Sequence, residues 1–131
     1  KDLGKSYFIL LDSDKTSSIE DSPNLAKLYN LGYHNDQCAV LKKREIECYI
    51  PESYFVGLTP PINDLHYGDY DDVKALCKTH AKSIQLGGKK VCDKHFANLS
   101  FEQLRSTFCP SGNDAEDEFL DIYNKVLAKI D

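Results

Sequence analysis

Two short apolar segments with a helix-forming segment between them constrain the fold of this chain most strongly. Residues 7–11 read Tyr-Phe-Ile-Leu-Leu and residues 38–41 read Cys-Ala-Val-Leu, and short apolar runs rich in β-forming residues are typical of strands buried on both faces. Between them, Ser22 and Pro23 suit the N-cap and first position of a helix, and Gly32 suits its end. Strand, helix and strand in this order predict a βαβ unit with two parallel strands.

The second half of the chain has helical rather than β-strand patterning. Apolar residues recur at helical spacing in four segments. These segments cover residues 71–83, 89–99, 100–108 and the stretch after Asn113. We expect Asn113 to cap the last helix together with Glu116 in a capping box. A loop is expected over residues 57–69, where prolines and glycines cluster.

The expected architecture is therefore α/β, with a parallel sheet. We predict a single, partial domain over residues 1–131, with a βαβ core over residues 1–56 and a helical part over residues 70–131. Because two parallel strands cannot cover their own faces, we expect further strands before Lys1. The chain contains no methionine, which favours the same interpretation, that this is an excised C-terminal fragment.

Composition and charge exclude several classes of protein. Hydrophobic residues make up 41% of the 131 residues and charged residues 28%, which is typical of a folded globular chain and too apolar for a disordered one. No stretch approaches the roughly 20 apolar residues that a membrane span needs. The formal net charge of −5 argues against a protein that coats nucleic acid by charge alone.

The cysteines and the first residues predict a cytoplasmic location. Five cysteines are present, an odd number without the spacing of a disulfide framework, so we expect reduced thiols. Residues 1–11 lack the cleavage pattern of a signal peptide. Both observations favour a protein that stays in the reducing cytoplasm.

Acidic residues follow both predicted strands. Asp12 and Asp14 come after the first strand, and Glu45 and Glu47 come after the second. Because ligands bind at the carboxyl ends of parallel strands, we expect these carboxylates to converge there on one metal cluster. Their oxygens suit a hard divalent ion such as Mg²⁺ or Mn²⁺. A strand-end turn explains Asp12 and Asp14 by themselves, but it does not explain the second acidic segment.

The two acidic segments together resemble a known nuclease domain. Residues 8–14 read Phe-Ile-Leu-Leu-Asp-Ser-Asp, and residues 41–50 read Leu-Lys-Lys-Arg-Glu-Ile-Glu-Cys-Tyr-Ile. They resemble the Toprim domain of the OLD (overcoming lysogenization defect) family, in which an Asp-x-Asp motif precedes a segment of the kind Leu-x-Arg-Arg-Glu-Ile-Glu-Asn-Tyr-Leu. The resemblance spans residues 7–55 and continues more weakly to residue 108. Cys48 departs from the family pattern, which usually has Asn there.

This resemblance implies a function and assigns roles to residues. It implies a Toprim-like domain with a central parallel sheet, whose βαβ core over residues 1–56 carries the metal site. It also implies a DNA endonuclease activity with Mg²⁺ or Mn²⁺ as cofactor. Asp12 and Asp14 match the metal-binding pair, and Glu47 matches the acidic residue of the second motif. Lys90 or Lys89, in a Gly-Gly-Lys-Lys turn, is the best match for a lysine that assists catalysis.

The resemblance also implies partners. Family members usually join this domain to an N-terminal ABC-type ATPase region, and many act in bacterial defence against phage. DNA, that ATPase region and, through the parent protein, further copies of the chain are therefore the expected partners.

Two other functions are compatible with Asp12 and Asp14. One is a phosphatase of the haloacid dehalogenase type, whose Asp-x-Asp-x-Thr start resembles Asp12, Asp14 and Thr16. Its later acidic motif would fall in residues 68–72, but no apolar strand leads into that segment, so we expect it to lie away from the site. The other is a non-catalytic Toprim-like interaction module, because the glutamate that the family places ahead of Asp-x-Asp has no match before Leu11.

Two further patterns have both a functional and a plain structural explanation. A run of lysines in the second half of the chain either contacts DNA or forms a solvated helix face. These lysines are Lys74, Lys78, Lys82, Lys89, Lys90 and Lys94. Two Cys-x-x-His elements either bind zinc or place ordinary buried side chains on helices. They are Cys77 with His80 and Cys92 with His95.

Overall fold

Two short parallel strands and a series of helices make up the computed structural model, which describes residues 7–80, 92–113 and 116–130. The first half contains β1 (Ile9–Leu11), α1 (Pro23–Asn30), β2 (Cys38–Val40), a 3₁₀ helix (Ile46–Tyr49), α2 (Glu52–Val56) and α3 (Val73–His80). The second half contains a π-helical turn (Cys92–Phe96), α4 (Phe101–Phe108) and α5 (Glu118–Ile130). The fold is mixed α/β. None of the helices among these residues has both the length and the apolar composition needed to cross a membrane.

β1 and β2 pair in parallel, as the sequence predicts. Ile9 lies opposite Cys38 and Leu11 opposite Val40, and α1 connects the two strands and packs against β2. The predicted burial of the first strand on both faces is wrong for the described residues, because Leu10 and Leu11 are 44% and 38% exposed. In this part of the chain the sheet has two strands, so β1 is an edge strand with fewer neighbours to cover it.

Local signals explain where α1 begins and ends. Ser22 is the N-cap, and its hydroxyl accepts a hydrogen bond of 3.1 Å from the backbone N–H of Leu25. Pro23 occupies the first helical position, where the missing N–H costs no intrahelical hydrogen bond. Gly32 follows the helix with a φ of +94°, which glycine adopts without a steric cost. These residues confirm the helix predicted from the sequence.

A cluster of buried apolar side chains forms a hydrophobic core in the middle of the chain. It draws on the 3₁₀ helix, α2, α3 and the segments that flank α2. Its members are Cys48, Ile50, Phe55, Leu65, Val73 and Cys77. The loop predicted over residues 57–69 contains neither helix nor strand, yet its Leu65 is a core residue. The sequence patterns predict neither the 3₁₀ helix nor α2.

α4 and α5 pack against each other through aromatic side chains. The rings of Phe101 and Phe119 meet edge to face, with 5.3 Å between their centroids. Ser100 caps α4 in a capping box with Gln103, and α4 confirms the helix predicted over residues 100–108.

The start of α5 differs from the prediction. Asn113 is the expected cap, but α5 begins at Glu118. The carboxylate of Asp117 accepts a hydrogen bond of 2.9 Å from the N–H of Leu120. It also accepts one of 2.6 Å from Nη2 of Arg105 in α4. The contact with α4 holds Asp117 in place as the cap, and local sequence does not reveal that contact.

Two predicted helices lie partly outside the described residues. α3 confirms the helix expected over residues 71–83 as far as His80. The π-helical turn lies within the segment expected over residues 89–99. Residues 81–91 lie outside the part of the chain that the structure describes.

Candidate functional site

The loop that carries Asp12 and Asp14 is docked onto the segment that follows β2. Ser13 is fully buried, and its hydroxyl donates a hydrogen bond of 2.7 Å to the backbone carbonyl of Lys43. The N–H of Asp14 donates to the carbonyl of Arg44 at 3.0 Å. Oδ1 of Asp12 accepts a hydrogen bond of 2.9 Å from the N–H of Ile46. The two acidic segments singled out in the sequence are therefore in direct contact.

Glu47 is the most exceptional acidic residue of this site. It is 1% exposed, and its Oε1 is buried with no hydrogen-bond partner among the described residues. Burial raises the pKa of Glu47, the charges of Asp12 and Asp72 act in the same direction, and the charge of Lys74 opposes them. A buried carboxylate oxygen without a partner is costly unless a cation compensates it. A cation bound at Oε1 of Glu47 would offset this cost.

Glu45 is also buried, but protein groups already engage both of its oxygens. Its Oε1 lies 3.8 Å from Nε of Arg44. Its Oε2 accepts a hydrogen bond of 3.4 Å from the N–H of Lys74, in the first turn of α3. Burial raises the pKa of Glu45, and the charge of Glu47 adds to this effect. Glu45 is therefore less available to a metal ion than Glu47.

Asp14 is directed to α1. Its Oδ2 accepts a hydrogen bond of 2.9 Å from Nδ2 of Asn24, and the same amide donates to the carbonyl of Asp12 at 2.8 Å. Asp14 has a φ of +57°, a left-handed conformation that aspartate tolerates better than most residues. Its side chain is exposed, in contrast to Glu47. Of the predicted metal pair, Asp12 is the member held directly against the segment that carries Glu47.

A third acidic segment, residues 69–72, also reaches this site. The N–H of Arg44 donates to the carbonyl of Asp69 at 2.8 Å. Nη2 of Arg44 lies 3.7 Å from Oδ2 of Asp72. Oδ1 of Asp72 accepts a hydrogen bond of 3.0 Å from the N–H of Ala75 and so caps α3. The expectation that this segment lies away from the site is wrong. No strand precedes it, but its contacts with Arg44 and the capping of α3 by Asp72 place it there.

The predicted lysines divide into two groups. Lys74 is half-buried at the start of α3, whereas Lys78 and Lys94 are exposed. The second group lies outside the described residues and includes both candidates for a catalytic lysine. Its members are Lys82, Lys89 and Lys90. Their roles stay predictions from the sequence.

Two of the four predicted zinc ligands, Cys77 and His95, have side chains within the described part of the chain. Cys77 belongs to the hydrophobic core, and burial raises the pKa of its thiol to about 11. Nε2 of His95 is buried without a partner among the described residues, and the ring packs edge to face on Tyr54 with 5.0 Å between centroids. The side chains of His80 and Cys92 lie outside the described part. Zinc binding stays a prediction.

Asp12 and Glu47 are the candidate carboxylate ligands that the described residues offer for Mg²⁺ or Mn²⁺. Within residues 7–80, 92–113 and 116–130, no group of three or more His, Cys, Asp or Glu side chains is arranged around one point as a metal site. Mg²⁺ is commonly bound through one or two carboxylates, with waters and substrate phosphates completing its shell. Asp12 and Glu47 lie on two contacting segments, and Oε1 of Glu47 is buried without a hydrogen-bond partner among the described residues.

Comparison with known proteins identifies no family. The chain matches no protein-family model, and it has no match among the curated proteins or the solved structures.

Proposed function

We propose that this chain carries the metal site of a Toprim-like DNA endonuclease that uses Mg²⁺ or Mn²⁺. The observation that supports it most is the buried, unpartnered Oε1 of Glu47, on the same 3₁₀ helix as Ile46, whose N–H binds the Asp12 carboxylate. Both acidic residues follow parallel strands, and ligands bind at that end of such sheets. The resemblance to the OLD family supplies DNA as substrate, an N-terminal ATPase region as partner and a cytoplasmic role in phage defence.

The proposed roles follow from how each side chain is held. Asp12 and Glu47 bind the ion, and the N–H of Ile46 fixes the Asp12 carboxylate through Oδ1. Asn24 holds Asp14 at the exposed side of the site, where that carboxylate is open to substrate-bound metal. When bound, the ion lowers the pKa of a coordinated water and neutralises charge on the scissile phosphate. Lys89 or Lys90 is proposed to stabilise charge that develops on the phosphate or the leaving oxygen.

A phosphatase is the second candidate, and one observation favours it. Residues 69–72 contact Arg44 beside the Asp12 loop, which is what a later acidic motif of that family would need to do. The hydroxyl of Thr16, however, donates to the carboxylate of Glu20, at 3.1 Å from Oε2. Thr16 is thus held by its own loop. The nuclease proposal gives the buried Glu47 carboxylate a role as a metal ligand, whereas the phosphatase motif has no role for this residue.

Nicking of supercoiled plasmid in Mn²⁺ by the full chain tests the proposal. Asp12→Asn and Glu47→Gln are expected to lower the nicking rate by about 100-fold or more, since each removes a proposed ligand. Asp21→Asn is the matched control, because Asp21 is exposed and lies outside the site. Nicking that is equal in all three variants would reject the assignment.

A second assay on the same proteins separates the alternatives. Hydrolysis of p-nitrophenyl phosphate that disappears in Asp12→Asn but persists in Glu47→Gln would identify a phosphatase. Absence of both activities in the wild-type chain would favour the non-catalytic interaction module.

A further inference from the structure

A cavity of about 400 Å³ lies beside the loop that carries Asp12. Lys43 forms part of its wall, and the carbonyl of Lys43 accepts the hydrogen bond of 2.7 Å from the Ser13 hydroxyl. The wall of the cavity is therefore bonded directly to the Asp12 loop. Aromatic side chains line it, namely Tyr49, Tyr70 and Phe108. A cavity of this size and composition is typical of a site for a small aromatic group.

Tyr70 connects this cavity with the exposed side of the proposed metal site. Nζ of Lys15, the residue after Asp14, lies 5.6 Å from the centroid of the Tyr70 ring. The backbone carbonyl of Tyr70 accepts a hydrogen bond of 3.5 Å from Nη1 of Arg44. Tyr70 is half-buried, so both contacts hold a ring that still lines the cavity. A ligand in the cavity thus lies next to the loop on which Asp14 is exposed.

The charges of the cavity wall are close to balanced. Nζ of Lys43 lies 3.4 Å from Oδ1 of Asp69, so these two charges offset each other. Glu118 is buried and accepts hydrogen bonds from the Tyr49 hydroxyl and from a backbone N–H. Among the described residues of the wall, one exposed lysine and one exposed glutamate remain, Lys42 and Glu116. Because a phosphate is held by an excess of positive charge, this wall suits a neutral base better than a phosphate.

We propose that this cavity takes one unpaired base of the DNA strand whose phosphate lies at the proposed metal site, with the base stacked on the ring of Tyr70. The inference rests on the proposed function and deepens it by naming the substrate, a strand with an unpaired nucleotide beside the scissile phosphate. A base inside a duplex reaches a cavity only by leaving the stack. Because every base has an aromatic face, stacking on Tyr70 selects an unpaired strand and not a sequence.

The experiment is binding of a short, labelled oligothymidylate to the full chain in Ca²⁺, measured by fluorescence anisotropy, with folding verified by circular dichroism. Tyr70→Ala is expected to raise the Kd about tenfold, because it removes the stacking surface for one base. Tyr70→Phe keeps the ring and is expected to keep the wild-type Kd. Tyr29→Ala is the matched control, since Tyr29 is an exposed ring that lines another cavity, before β2 and at the opposite end of the sheet.

An abasic strand of the same length separates stacking from a loss of folding. It offers no base to Tyr70, so the wild type and Tyr70→Ala are expected to bind it equally. A folding defect in Tyr70→Ala, or a lost phosphate contact, would instead weaken binding of both strands by the same factor and reject stacking. The ratio of the two Kd values for oligothymidylate is also expected to be the same at about 50 and 200 mM salt, because stacking releases no counter-ions.

Thymidine monophosphate tests whether the cavity serves a strand or a free nucleotide. As a competitor it is expected to require a concentration about a hundredfold higher than that of the oligothymidylate, since it engages the cavity without the rest of the strand. Equal competition by the mononucleotide would identify a site for free nucleotides and overturn the proposal.

The outcomes separate this inference from the proposed function, because plasmid nicking in Mn²⁺ is measured on the same proteins. If the wild type nicks DNA and Tyr70→Ala binds the strand as tightly as Tyr29→Ala, the base cavity is rejected and the metal site stands. If the strand binds through Tyr70 and no nicking occurs, the cavity stands and the endonuclease is rejected. Absence of both binding and nicking rejects both. A tenfold loss confined to Tyr70→Ala, with nicking that Asp12→Asn abolishes, supports both.

Discussion

Tyr49 donates a buried hydrogen bond of 2.6 Å to Oε1 of Glu118 and so ties helix α5 to the segment that follows β2. Oε2 of Glu118 accepts a second hydrogen bond, of 2.8 Å, from the N–H of Lys42. The Tyr49 hydroxyl in turn accepts one of 3.1 Å from the N–H of Lys43. Burial raises the pKa of Glu118, and these hydrogen bonds oppose that shift. The C-terminal helix thus braces the chain segment that leads into the proposed metal site.

Replacement of Tyr49 by Phe tests this brace. The variant leaves Oε1 of Glu118 and the N–H of Lys43 without their partner, and we expect the free energy of unfolding to fall by about 2 kcal/mol. Urea denaturation followed by circular dichroism measures it. Tyr54→Phe is the matched control, because no hydrogen bond joins the Tyr54 hydroxyl to the described residues. Equal stability of the two variants would show that the brace contributes nothing.

Glu47→Gln is expected to change how stability depends on pH in the metal-free protein. Because burial raises the pKa of Glu47 above its ordinary value of 4.5, the folded state binds more protons than the unfolded state in that range. The free energy of unfolding therefore falls as pH rises from the ordinary value through the raised one, and stays lower above it. In EDTA at pH 8 we therefore expect the variant to be more stable than the wild type.

The gap between the two proteins is expected to close as pH falls below 4.5, the ordinary value for this side chain, because Glu47 is then neutral in both states. Urea denaturation from pH 4 to pH 8 measures this, with EDTA present throughout. Glu102→Gln is the control, since Glu102 is exposed on α4. A variant that is less stable than the wild type at every pH would contradict the conclusion that burial of the ionised Glu47 carboxylate destabilises the metal-free protein.

The parts of the fold that the sequence predicts well are those set by local chemistry. Ser22 and Pro23 mark the start of α1 because the cap and the first helical position involve residues that are close in sequence. The parallel pairing of β1 and β2 follows from two apolar runs with a helix between them. The contact between the Asp12 loop and the segment carrying Glu47 then follows from that pairing.

The parts that the sequence does not reveal depend on contacts between distant residues. Asn113 and Asp117 are both good local caps, and the contact with Arg105 favours Asp117. Leu65 joins the core from a segment without regular structure, so no periodic pattern marks it. Residues 69–72 reach the site through one backbone hydrogen bond from Arg44 to Asp69 and through contacts of the Arg44 side chain. The one local sign that residues 69–72 have a fixed structure is Asp72, an N-cap residue directly before the helix pattern of α3.

Ser13→Ala tests how much Ser13 contributes to holding the Asp12 loop against the segment that follows β2. Ser13 is fully buried and donates a hydrogen bond of 2.7 Å to the carbonyl of Lys43. Its loss leaves that carbonyl without this donor, and we expect a decrease of about 1–2 kcal/mol in the free energy of unfolding. Urea denaturation measures the change. Ser53→Ala is the control, because Ser53 is exposed on α2, and a decrease of similar size in the control would contradict a specific role for Ser13.

Asn24→Asp tests the position of Asp14. The Asn24 amide donates to Oδ2 of Asp14 at 2.9 Å and to the carbonyl of Asp12 at 2.8 Å. The variant removes both donors and places a carboxylate against that of Asp14, so we expect a loss of about 2 kcal/mol in EDTA at pH 8. Thermal and urea unfolding measure it.

Asn63→Asp makes the same change of charge on the exposed loop after α2 and is the matched control for Asn24→Asp. Two carboxylates held together attract a divalent ion, so Mn²⁺ should raise the melting temperature of Asn24→Asp more than that of the wild type. Equal stability of Asn24→Asp and Asn63→Asp at pH 8 would mean that Asn24 does not hold Asp14 at the site.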